Sequence, residues 1–388
     1  MAERRARLGQ RHRLAAAARA GDPLEAARSL VALHASDPAS VFLSAWARMT
    51  DGDVAAVERA LYDRRVLLRT LGMRRTVFVT PRDTAPVIHA ACTRIIAARE
   101  RRKLISLLAE AGIADDSGAW LKDVEEAALR ALATRGEATA AELAADDPRL
   151  RAQIVLARGK SYEGRPSVCS RVLFLLAADG RVVRGRPVGS WTSSQYRWST
   201  FETWCPDGVT EWHAEDAEAE LARRWLTSFG PATAEDLRWW AGWSVAQVKR
   251  ALARIRPVEV DLAGAAGLVL PDDLEPAPAA EPWAALLPPL DPTPMGWSRR
   301  EWFLGEHGAA LFDRTGNVGP TVWWDGRIVG GWAHRADGEV VWRLLEDVGA
   351  DATAAVAAAA EQLAARLGPV RLTPRARGAT LIEQQLAR

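Results

Sequence analysis

Arg135-Gly-Glu-Ala-Thr-Ala-Ala-Glu-Leu-Ala144 returns 94 residues later as Phe229-Gly-Pro-Ala-Thr-Ala-Glu-Asp-Leu-Arg238, and this repeat decides the fold. Gly136 and Gly230, Thr139 and Thr233, and Leu143 and Leu237 coincide. In each copy an amphipathic run, residues 124–134 and 217–228, ends at glycine. A threonine then caps a short helix that carries an acidic residue in its first turn. That is the pattern of a helix-turn-helix. After the second copy Ser244 caps a helix over 245–255, and 257–261 and 267–270 alternate like two strands. After the first copy 168–178 reads as a helix, Asp179-Gly180 as a turn, and 181–184 as the start of a hairpin closing near 195–198. Three helices and a β-hairpin make a winged helix.

Working outward, a third copy is expected at the N-terminus, with helices over 24–33, 38–48 and 54–62 and strands over 66–70 and 76–79 joined at Leu71-Gly72-Met73. The fold class is therefore α+β: tandem winged-helix modules followed by a small β-rich C-terminal domain. The expected boundaries are a first module over 1–83, a helical connector over 84–120, modules over 121–212 and 213–270, a proline-rich linker over 271–294 and the C-terminal domain over 295–388. In that last domain Asp325-Gly326 and Asp337-Gly338 are hairpin turns between strands over 320–325, 327–335 and 340–345. A helix over 352–367 and a strand over 370–373 follow, which together read as a partial barrel.

Composition narrows the class. The 388 residues carry 48% hydrophobic and 26% charged side chains, which fits a globular chain of several cores rather than a disordered one. No apolar run reaches the roughly 20 residues a membrane-spanning helix needs, and the N-terminus lacks the apolar centre of a signal peptide, so a cytoplasmic protein is expected. Cys92, Cys169 and Cys205 stand far apart, and the six histidines form no ligand pattern, so no structural metal is expected. Net charge is +2, but residues 1–113 hold 20 Lys and Arg against 11 Asp and Glu. A local surplus of that kind suits a polyanion, and duplex DNA is the expected partner of a monomer.

The chemistry-bearing junction is Leu33-His-Ala-Ser-Asp-Pro38. Together with Met73-Arg-Arg-Thr-Val-Phe-Val79, Pro320-Thr-Val-Trp-Trp-Asp-Gly-Arg-Ile-Val-Gly-Gly-Trp332 and the tandem modules, it resembles the AlkZ-like winged-helix DNA glycosylases along nearly the whole chain. The resemblance implies hydrolytic excision of alkylated purines without metal or cofactor. The family's Gln–aliphatic–Gln motif falls on His34-Ala35-Ser36, where Ser36 is shorter than glutamine. On this reading His34 orients or deprotonates the attacking water, Ser36 holds it, and Asp37 steadies positive charge on the sugar. His34 is placed in the last turn of a helix. Asp37-Pro38 is also an ordinary helix start, so a structural cap competes with the catalytic role. Arg48, Arg69, Arg74 and Arg75 flank the junction as candidate DNA contacts. Two other classes fit the same residues: a non-catalytic DNA-binding damage sensor or regulator, and a protein-interaction scaffold.

Overall fold

The computed structural model describes residues 1–160, 163–278, 280–372 and 378–388. Within it, three segments repeat one order of elements. The first runs through helices Pro23–Arg28, Pro38–Trp46 and Val54–Glu58 into the hairpin Leu67–Gly72 and Thr76–Pro81. The second places Ser117–Arg135, Ala140–Asp146 and Val168–Ala178 before the hairpin Val182–Pro187 and Tyr196–Thr200. The third places Ala214–Phe229, Ala234–Ala241 and Val245–Ile255 before Val258–Asp261 and Ala266–Val269. The molecule is a mixed α+β protein.

Local chemistry explains these boundaries. Thr139 with Glu142, Thr233 with Asp236 and Ser244 with Gln247 each form a reciprocal capping box, so two of the helix's first free N–H groups are satisfied by side chains. The two repeated glycines do different work. Gly136 ends its helix at φ +76°, in the left-handed region, whereas Gly230 is extended at φ −72°. A Cβ on Gly230 would lie 2.5 Å from the Leu226 carbonyl oxygen, so close approach rather than backbone freedom requires glycine there.

The first hairpin gains a third strand, Leu33–His34, on its Thr76–Pro81 edge, with His34 opposite Phe78. The helix expected over 24–33 therefore stops at Arg28, and His34 sits on a strand rather than at a helix end. After the first hairpin the chain forms the helices Ala85–Ile88 and Arg94–Glu110.

The proline-rich stretch behaves differently from a linker. Ala284–Leu287 is an edge strand of an open four-stranded antiparallel sheet completed by Thr321–Trp324, Arg327–His334 and Val340–Leu344. Residues 288–297 beyond it are buried, because Asp291 and Thr293 meet Arg48 of the first segment. The expected partial barrel is this open sheet, with Ala350–Leu367 packed against its edges. Val370 and Leu372 are not in a strand, and Thr373 lies outside the described residues. One continuous hydrophobic core joins the first segment, the third and the sheet, whereas most of the second segment has its own, around Leu121, Leu132, Val172 and Leu176. Among the described residues no helix is long and apolar enough to cross a membrane.

Candidate active site

His34, Ser36 and Asp37 occupy the short connection from the Leu33–His34 strand to the helix Pro38–Trp46. The His34 ring is 8% exposed and stands edge-on to Phe78 at 5.5 Å between centroids. Its one hydrogen bond among the described residues is accepted by Nδ1 from the Ser36 N–H at 3.4 Å. Burial pushes the imidazole down to about 3; the nearby Arg74 cation adds to this and Asp291 opposes it. The ring is neutral at physiological pH. With Nδ1 accepting, the neutral tautomer carries its proton on Nε2, which presents a donor. A ring with so low a pKa is a weak proton acceptor, so the geometry fits orientation of a water better than its deprotonation.

Asp37 is the helix cap the sequence foresees. Its Oδ2 accepts from the Ser40 N–H at 3.2 Å and lies 2.7 Å from the Ser40 hydroxyl, which is also 2.8 Å from the Pro289 carbonyl. Oδ1 takes no hydrogen bond from any described residue, so the cap occupies half of the carboxylate. Ser36 is exposed beside it.

The four arginines separate into distinct environments. Arg48 is the correction: its side chain is 0% exposed and grips Asp291 at 2.7 Å, so it is a core ion pair and has no path to a phosphate. Arg74 and Arg75 form the tip of the first hairpin, both in the left-handed region at φ +54° and +62°. Such positions are strained for residues with a Cβ and persist only where surrounding contacts hold them. Here the Arg74 guanidinium stacks 4.0 Å over Trp239, a ring that also carries Arg300 at 4.9 Å. Gly242, itself at φ +72°, lets the third segment come this close, since a Cβ would lie 3.1 Å from Arg74 Cγ. Arg75 is the most exposed of the four; it pairs with Glu100 at 2.9 Å and stacks on Phe174 at 5.1 Å. Arg69 is 6% exposed and packs 4.9 Å from the Tyr196 ring.

Sequence reading missed Trp239 and Arg300. The Trp239-Trp240 pair reads as core, and Trp240 is 4% exposed, but Trp239 is half-buried under two guanidinium groups. Helical periodicity was the available signal: Asp236, Leu237, Trp240 and Ala241 share the buried face of Ala234–Ala241, and Trp239 falls off it. The basic surplus of residues 1–113 is also partly consumed internally, by pairs such as Arg11–Asp273, Arg13–Glu25 and Arg101–Glu125.

Buried neutral histidines carry a pH signature. His12, between the Thr293 hydroxyl and the Ser228 carbonyl, is likewise pushed down to about 3 by burial, with Arg48 adding to it. Both rings ionise in the unfolded chain near 6.5 but not in the folded one. Stability is therefore full above pH 6.5 and falls as pH drops towards 3, by about 1.4 kcal/mol per pH unit for each ring. Urea unfolding at pH 7 and pH 5 should differ by roughly 4 kcal/mol from these two groups together. Equal midpoints would show that the rings protonate freely in the folded state.

The elements and the junction they hold define an α+β protein whose histidine, carboxylate and stacked arginines converge where three segments meet. A model of the family described as DNA glycosylase AlkZ-like matches residues 27–366. The chain belongs to the AlkZ-like DNA glycosylase family. The solved structure of the Streptomyces sahachiroi DNA glycosylase AlkZ, 22% identical, matches with a TM-score of 0.73 over 96% of this chain and 98% of that one, a likeness of fold. No curated protein matches.

Proposed function

We propose that this chain is a monofunctional DNA glycosylase built on three winged-helix modules, hydrolysing the N-glycosidic bond of alkylated purines in duplex DNA. The observation that carries the reading is the half-free carboxylate of Asp37 beside the neutral His34 ring and the exposed Ser36. Alkylation leaves the purine cationic, so the bond to the sugar breaks with its electrons leaving on the base. The enzyme must steady the oxocarbenium-like sugar and deliver water. Asp37 supplies the negative charge and takes the proton lost when the water oxygen bonds to the sugar carbon. His34 and Ser36 orient that water.

Duplex DNA carrying N7-alkylguanine or N3-alkyladenine, with bulkier adducts alongside, is the test. Release of free base and appearance of abasic sites support the proposal; binding without release on every adduct overturns it. That second outcome is the expected result of a non-catalytic damage sensor, which the short Ser36 side chain favours.

The hairpin tip is the proposed backbone contact. Replacing Arg74 and Arg75 together by alanine should weaken binding on every sequence and lower the slope of log affinity against log salt by about one to two units. An unchanged slope in a fluorescence-anisotropy titration would show that the tip does not touch phosphate.

A further inference from the structure

Arg69 makes no ion pair among the described residues. Its strand Leu67–Gly72 turns it towards the second hairpin, and its Nε, Nη1 and Nη2 are all occluded without a hydrogen-bond partner among the described residues. A buried guanidinium with no paired donor carries a large desolvation cost, so the position is unfavourable in the free protein. Arg184 stands close enough to act on the same Tyr196 ring and on Arg69, and burial, with Arg69 contributing, lowers it to about 10. It stacks on Trp198 at 5.0 Å and makes no ion pair among the described residues. The Tyr196 and Tyr62 hydroxyls are also buried, with no hydrogen-bond partner among the described residues. Among the charged groups that act on Tyr196 is Asp37 of the candidate active site, which makes no ion pair with Arg69 or Arg184 among the described residues. The cluster is therefore two cations and two unused hydroxyls walled between the first and second hairpins.

Tyr196 sits beside an irregularity of the second hairpin. It pairs with Pro187, while Trp198 pairs with Arg184, so the ladder is interrupted beside it. An irregularity of this kind bends the strand and re-aims side chains. We propose that Arg69 and Arg184, roofed by Tyr196, form a closed receptor for one phosphodiester of bound DNA, opened when the ring swings aside. This rests on the DNA-binding reading above and adds the receptor to it. A phosphate supplies the acceptors that both guanidinium groups and the tyrosine hydroxyls lack. Closure in the free protein keeps the pair from binding other anions.

The experiment is a salt titration of a labelled undamaged duplex with the full chain and its Arg69→Gln variant, together with thermal melting of both without DNA. Arg69→Gln should bind roughly tenfold more weakly at 0.1 M salt and lose about one unit of slope. Its melting temperature should stay equal or rise, because an unpaired buried cation is gone. Arg69→Lys, which keeps the charge, should retain the slope. An unchanged slope for Arg69→Gln overturns the receptor, and so does a melting temperature several degrees lower, which marks a structural cation. Wild-type protein that binds no duplex overturns the DNA reading itself, and with it the receptor.

Discussion

Asp37→Asn is expected to lower release of a cationic alkylpurine by about a hundredfold to ten-thousandfold while leaving the fold and the DNA affinity nearly intact. Asparagine keeps an oxygen that accepts from the Ser40 N–H, so the cap on Pro38–Trp46 survives. What disappears is the charge on the carboxylate, including the oxygen that the cap leaves unused. His34→Ala is the companion, expected to slow release less than Asp37→Asn, since a neutral ring at this depth positions water without taking its proton. Single-turnover rates at saturating enzyme separate the chemical step from binding. If both variants match wild type, the junction is not where the bond breaks.

Asp291→Ala should destabilise the protein by about 3–5 kcal/mol, a large share of the 5–15 kcal/mol typical of a folded domain. Burial alone would raise this carboxyl, but two hydrogen bonds from Arg48, at 2.8 and 2.7 Å, hold it below the usual carboxylate range, helped by Ser44 and the Thr293 N–H. Alanine would leave a guanidinium at 0% exposure with Thr293 and the Ser44 carbonyl as its remaining partners. Denaturant unfolding measures the loss. The double change Arg48→Met with Asp291→Leu should recover most of it, because a shape-matched apolar pair carries no desolvation cost. A single-variant loss below 1 kcal/mol would show that water reaches Arg48.

The same ion pair shows why one sequence expectation failed. Arg48 lies within the basic N-terminal surplus, and charge counting assigns such a residue to the surface. Its partner lies 243 residues away, in a stretch whose prolines read as a linker. Those prolines do exclude helix, but residues 288–297 cross the first segment as buried irregular chain whose polar groups are satisfied by Ser40, Arg48 and Thr293. His34 is a similar case. Leu33-His34 is too short to show a strand's alternation, and it becomes one only because Thr76–Pro81 offers a free edge.

The sequence by itself determined what is governed by local physics. Capping residues, Gly and Asp-Gly turns, and the alternation of apolar residues act within a few positions of one another, and they marked all three helix-plus-hairpin segments, the hairpins of the C-terminal sheet and the cap at Asp37. Only tertiary structure decided which arginines are cations in water and which are in the core. It also decided that Trp239 carries Arg74, that Arg69 lies under Tyr196, and that His34 is neutral. Each of these depends on desolvation and on partners distant in sequence: Arg74 and Trp239, like Arg69 and Tyr196, are more than a hundred residues apart, and His34 is held neutral by burial with Arg74 adding to it. The energy of a charge is set by what surrounds it in space, and no spacing along the chain encodes that.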